Sequence, residues 1–215
     1  MSNVIFSIKD DYLPKDYLTI SRNSKIDSDN KITYFSLGRN TDISAEKYSK
    51  NVILVINGGN GKIIINDEIK DLKTNDFIFI PKESLYGLNT GEGLIFTEII
   101  IYEESYTMNE MIKDGEIFKL RELLSYEDDS IVNMDLISNN SLKFVVMAFD
   151  EGTNLSEHAA PGEALIFALD GEAIIGYEGQ KYHIKSGENF KFNKGGLHSI
   201  EACTKFKMAL LLTFD

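Results

Sequence analysis

The sequence predicts an all-β protein made of two tandem antiparallel barrels or sandwiches produced by an internal duplication. Two observations carry this expectation. First, when the 215-residue chain is displaced against itself by 112 residues, the second half overlays the first without a gap. Ile5-Phe6 falls on Ile117-Phe118, Ile32-Thr33-Tyr34-Phe35 on Phe144-Val145-Val146-Met147, Gly59 on Gly171 and Leu72 on Ile184. A period this long marks a duplicated domain and not a solenoid unit. Second, most apolar segments are short, rich in Ile, Val, Phe and Tyr, and bounded by Gly, Asn, Asp or Lys. Regularly spaced short strands with turn signals between them indicate a sandwich or a barrel.

In chain order, strands are expected over 52–56, 62–65, 77–80 and 94–102 in the first copy. The second copy supplies 144–149, 164–169, 173–177, 190–192 and 207–214. Tight turns are predicted at Ile56-Asn57-Gly58-Gly59-Asn60-Gly61 and at Leu169-Asp170-Gly171-Glu172. Asn66-Asp67-Glu68 and Tyr177-Glu178-Gly179-Gln180 mark the next hairpin in each copy, since Gly and Asn supply the positive φ that such turns demand. The best helical candidate is 109–126, where Met111, Ile112, Ile117, Leu120, Leu123 and Leu124 recur irregularly. Gly115 interrupts it, so a short helix or turn followed by an extended piece is expected there. That stretch joins two domains, 1–110 and 111–215.

Composition narrows the partners. The net charge is −12, from 34 acidic against 22 basic residues, so nucleic acid and anionic membrane surfaces would repel the chain. The acidic residues are scattered, as on a solubilising surface. The single Cys203 precludes an intramolecular disulfide. No apolar run approaches the ~18 residues of a membrane span. Met-Ser-Asn-Val at the start lacks a basic and apolar signal, so a cytoplasmic protein is expected.

All three histidines, His158, His183 and His198, lie in the second copy, which confines imidazole chemistry to one half. Around them run Gly152, five residues, His158-Ala159-Ala160-Pro161-Gly162-Glu163-Ala164, and Gly171, and then Gly187, five residues, and Asn193-Lys194-Gly195-Gly196-Leu197-His198. These stretches resemble the two motifs of the cupin superfamily. The first is Gly, five residues, His-x-His, three or four residues, Glu, six residues, Gly; the second is Gly, five residues, Pro-x-Gly, two residues, His. Asn193 stands where the second motif has Pro. In the first copy Asn75, Asp76 and Pro81 sit in the frame of the second motif. The resemblance implies a bicupin, two tandem antiparallel jelly-roll β-barrels, with a homodimer as the expected assembly because cupin barrels often extend each other's sheets.

The resemblance also implies three His and one Glu around a divalent metal inside the barrel, and here the set is incomplete. His158 and His198 occupy the first and last His positions, but Ala160 replaces the middle His and Ala164 the Glu. Glu163 is one residue off, and strand alternation turns it to the opposite face unless the strand end bulges. With Glu163 or a substrate carboxylate as third ligand, His158 and His198 would hold Zn, Mn, Ni or Fe; iron oxygenases use two His and a carboxylate. Without one, the two imidazoles would hydrogen-bond a small organic ligand. The sequence leaves both open.

Other positions read more plainly. His183 adjoins the inward Ile184 and so is expected on the surface. Phe190 and Phe192 flank Lys191; if the lysine faces water, both rings line an apolar lumen that binds the ligand. In the first copy Tyr86 replaces His198, Glu46 replaces His158, Tyr48 replaces Ala160 and Val52 occupies the Glu position, so that half is expected to serve packing or dimerisation or to form an organic pocket lined by Tyr48 and Tyr86. Gly58-Gly59-Asn60-Gly61-Lys62 resembles the tail of a phosphate loop, but Ile63 replaces Ser or Thr and no helix follows. Cys203 is expected as buried filler. No Gly-x-Ser-x-Gly elbow occurs. The functional expectation is a bicupin that binds a small molecule, with or without a divalent metal, in its C-terminal barrel. The alternative is a metal-dependent dioxygenase or isomerase acting on a small organic or sugar-like substrate, with Glu163 as third ligand or general base.

Overall fold

The computed structural model describes residues 4–24, 26, 30–103 and 105–214. The described chain is antiparallel β throughout, apart from the α-helical turn Ile8–Asp11 and the 3₁₀ turn Leu120–Glu122. The duplication holds strand by strand. Ile5–Phe6, Thr19–Asn23, Lys31–Leu37 and Thr41–Lys47 recur 112 residues later as Ile117–Lys119, Ile131–Ser138, Leu142–Phe149 and Asn154–Ala159. Asn51–Ile65 recurs as Glu163–Asp170 and Glu172–Tyr177, and Leu85–Ile101 as Leu197–Ala202 and Phe206–Thr213.

The two copies exchange their leading strands. Ile5–Phe6 pairs with Asn189–Phe192 of the second copy, whereas Ile117–Lys119 pairs with Asp76–Ile80 of the first. Each copy thus completes a sheet of the other. The second copy builds a seven-stranded sheet facing a four-stranded one, and the first copy runs its two corresponding sheets into a single eight-stranded surface.

That continuity corrects the turn expected over 56–61. Asn51–Ile65 passes straight through it, with register shifts between Ile56 and Gly58 and between Asn60 and Lys62. Gly and Asn here bend a barrel corner by bulging, which places two residues opposite one and kinks the strand. In the second copy only Gly171 breaks the path, and the chain again bends across sheets instead of reversing. Gly59 and Gly171 have φ of 78° and 68°, and a Cβ on either would collide with a backbone carbonyl, of Gly93 or Lys205. We expect Gly171→Ala to lower stability by about 1–3 kcal/mol from backbone strain, measured as a fall in the urea midpoint. The turns at Asn66-Asp67 and Glu178-Gly179 are hairpins as predicted, with positive φ at all four residues. Residues 109–116 form turns, and an extended piece and the 3₁₀ turn follow.

Strand alternation sorts the apolar residues into three cores. Val52, Leu54, Ile56, Ile78, Ile80 and Phe96 fill the first barrel. Ala164, Ile166, Ala168, Phe190, Phe192 and Met208 fill the second. The odd-numbered neighbours Ile53, Val55, Phe77 and Phe79 face Phe144, Leu165, Phe167 and Leu211 across the space between barrels. The large sheets are therefore buried on both faces, which explains the continuous apolar runs of 52–56 and 77–80. Among the described residues no helix is long and apolar enough to cross a membrane.

Candidate functional site

The first-motif strand Asn154–Ala159 lies beside the second-motif strand Leu197–Ala202, and the register makes His158 and His198 direct partners. Their ring centroids are 4.2 Å apart with planes inclined at 53°. His198 is buried and rests on Phe192 at 4.1 Å, whereas His158 is exposed at the barrel mouth. The pair is a half-open site with an aromatic floor.

Hydrogen bonding fixes both rings. His158 Nδ1 lies 2.8 Å from the Ser156 carbonyl, and His198 Nδ1 lies 3.2 Å from the Gly196 carbonyl. A carbonyl only accepts, so each Nδ1 must carry the proton and each neutral ring keeps a bare Nε2. Burial, with a smaller contribution from the neighbouring His158, holds His198 below the ordinary histidine range, against the opposing pull of the Gly196 carbonyl. At neutral pH the buried His198 therefore presents an Nε2 lone pair, which is an acceptor or ligand but not a donor.

The rest of the family's ligand set does not fit a metal. Ala160 and Ala164 are both buried in the lumen core, and Ala164 is the register partner of Phe192. The space that two further ligands would use is occupied by methyl and phenyl groups. Glu163 lies on the other face of its strand, as alternation anticipates, with Oε2 2.7 Å from Lys191 Nζ. Among the described residues no three His, Cys, Asp or Glu side chains come together to hold a metal ion. Of the family's four ligand positions, the two imidazoles are the donors this chain retains. Asn193 contributes differently: its backbone N–H donates to Tyr177 Oη at 3.1 Å, a bond the family's Pro could not make.

Phe190 and Phe192 face the lumen, as expected, and both are fully buried. The condition attached to that expectation needs correcting, because Lys191 points between the two sheets, toward Glu163, and is half-buried. His183 is exposed and pairs with Glu172 at 2.9 Å, which fits its surface reading. Cys203 is exposed, not buried. The apolar strand that is continuous in the first copy is broken over 203–205, and the cysteine sits in that break.

The first barrel holds a group that sequence reasoning missed. Tyr86, at the position of His198, donates to Glu98 Oε2 at 3.0 Å and packs on Tyr48 with ring centroids 4.9 Å apart. Glu98 is buried, and its desolvation raises its carboxyl above the usual range despite the Tyr86 bond and Lys31. It lay hidden inside the apolar run 94–102; a lone acid on the lumen-facing parity of such a run was the available signal. Its folded pKa exceeds the unfolded one, so its contribution is full below the unfolded value and is lost as pH rises through the folded one. Glu98→Gln keeps an acceptor for Tyr86 and removes the buried charge. Its thermal midpoint, relative to the parent, should rise between pH 4 and pH 8; an unchanged difference would contradict the buried carboxyl.

Comparison with known proteins follows the same lines. No family model matches the chain, and no curated protein matches it. Among solved structures, the cupin 2 conserved barrel domain protein from Leptotrichia buccalis superposes with a TM-score of 0.86 at 27% identity, covering 97% of this chain and 95% of that one. A salicylate 1,2-dioxygenase from Pseudaminobacter salicylatoxidans gives 0.66 at 11% identity, over 86% of this chain and 71% of that one. AerE from Microcystis aeruginosa gives 0.56 at 14% identity, over 91% and 98%. The last two are likenesses of fold alone.

Proposed function

This chain belongs to the cupin superfamily, and from that premise we propose that it binds a small molecule at the mouth of its second barrel through His158 and His198, without a resident metal centre. The observation that carries the reading is the pair of fixed tautomers. Two bare Nε2 atoms side by side above Phe192 match a ligand that offers hydrogen-bond donors on a compact, partly apolar body. The role is sequestration or sensing. Among the described residues the buried groups beneath the two imidazoles are apolar, with Phe192 under His198.

The second reading, a metal-dependent dioxygenase or isomerase, has one observation in its favour. A histidine that ligates a metal through Nε2 commonly donates Nδ1–H to a carbonyl, as both do here. Zn, Mn, Ni or Fe would have two protein donors where lasting centres use three or four, so the metal-free reading is preferred.

Native mass spectrometry of the tag-free chain tests the proposal. The expected result is an added small-molecule mass that His158→Ala and His198→Ala each remove; a bound mass that persists in both variants overturns it. A proton competes for the same Nε2. Occupancy should therefore be full above the ordinary histidine value of about 6.5 and fall as pH drops through the depressed His198 value, read by titrating the complex from pH 8 to pH 5. Occupancy that rises on acidification would contradict a donor ligand.

A further inference from the structure

We propose that the space between the two barrels carries a second ligand site, for a compact organic monoanion with an aromatic or apolar body. The site is a cavity of about 370 Å³ at one end of the inter-sheet space, where Tyr12, Arg22 and Tyr34 of the first copy meet Leu165, Lys191 and Asn193 of the second. Phe6, on the exchanged leading strand, closes one side.

The duplication supplies an internal control. Under the 112-residue displacement, Phe6, Tyr12, Arg22, Tyr34, Leu165 and Lys191 correspond to Phe118, Leu124, Met134, Val146, Ile53 and Phe79. All six of these counterparts belong to the apolar core between the sheets or pack against it. The fold therefore accepts plain hydrocarbon at this place. At one end only, four of the six positions have become Tyr, Arg, Tyr and Lys, and that is the end with the cavity. Tyr12 and Tyr34 still pack in that core, so packing accounts for the two rings; it does not account for Arg22 and Lys191, which a ligand with both apolar and charged parts would meet.

The chemistry of the wall sets the class. The Arg22 guanidinium lies 5.6 Å from the centre of the Tyr12 ring, and the Tyr12 and Tyr34 rings are 5.3 Å apart, forming an aromatic face with a cation at its rim. Lys191 lies across the cavity and is matched by Glu163, so its charge is locally balanced. Arg22 forms no ion pair among the described residues, so its guanidinium is the cation on this wall that an anion would face. Burial pushes the Tyr34 hydroxyl up to about 12, opposed by its bond to Ser24, so it stays neutral and able to hydrogen-bond. A carboxylate facing Arg22, with a planar apolar body against the two tyrosines, satisfies the set.

Isothermal titration of the full chain with naphthalene-2-carboxylate, and with the neutral naphthalene-2-carboxamide as control, tests this. The carboxylate should bind at least tenfold more tightly than the amide. Arg22→Met, which installs the residue of the equivalent position, and Lys191→Met should each weaken it tenfold or more while circular dichroism and melting stay native-like. His158→Ala and His198→Ala should leave it unchanged, so this site and the barrel mouth succeed or fail separately. Equal binding of acid and amide, no carboxylate binding at millimolar concentration, indifference to Arg22→Met in a folded variant, or loss in the histidine variants would each overturn the proposal.

Discussion

Phe144→Ala is expected to destabilise the whole chain by about 3–5 kcal/mol, the usual cost of removing a fully buried phenyl ring. Phe144 has no exposed surface and sits 5.4 Å from Phe77 of the first copy and 6.2 Å from Phe167 of the second, at the centre of the core between the barrels. Truncation leaves a hole that neither sheet closes, because both are pinned by their own ladders and by each other's leading strands. The effect should therefore not stay in the second copy. Urea unfolding followed by circular dichroism and by tyrosine fluorescence, in a protein with no Trp, should give one shifted transition common to both signals. Two transitions with only one displaced would show the barrels to be independent.

Ala164→Glu installs a carboxylate at the family's metal-ligand position, and it is expected to cost at least about 3 kcal/mol by overpacking and by burying an uncompensated charge. Ala164 is 1% exposed, opposite Phe192, and surrounded by Ile166, Phe190 and Met208. The new group would displace these apolar side chains. The loss should shrink toward pH 4 as the carboxyl protonates, and added Zn or Mn should not restore the melting temperature. Restoration by metal would mean that the lumen opens to complete a centre around His158 and His198.

Much of this was legible in the sequence, for physical reasons that are easy to state. The repeat set the architecture because duplicated strands bury duplicated faces, and period-two alternation separated Phe190 and Phe192 from Lys191, and Glu163 from Ala164, on opposite faces of their strands. That His158 and His198 converge was implied by the resemblance to the cupin motifs, and the register pairs them. Other features were not legible. The Gly58-Gly59-Asn60-Gly61 stretch reads as a hairpin, yet a glycine-rich bulge and a turn make the same local demand on φ, and only pairing over distance separates them. The exchange of leading strands leaves no local mark, since Ile5-Phe6 suits either sheet. Whether Lys191 faces water was left as a condition, because a second sheet covering it is not encoded in its own strand. Glu98 was masked by the apolar residues on both sides of it.

The most direct measurement is metal analysis of tag-free protein purified without chelators, beside the His158→Ala and His198→Ala variants. With Ala160 and Ala164 at the other two ligand positions and Glu163 turned toward Lys191, the expected result is substoichiometric metal in all three proteins. Near-stoichiometric Fe, Mn, Ni or Zn in the parent, lost in both variants, would contradict it and place a working metal centre at the barrel mouth.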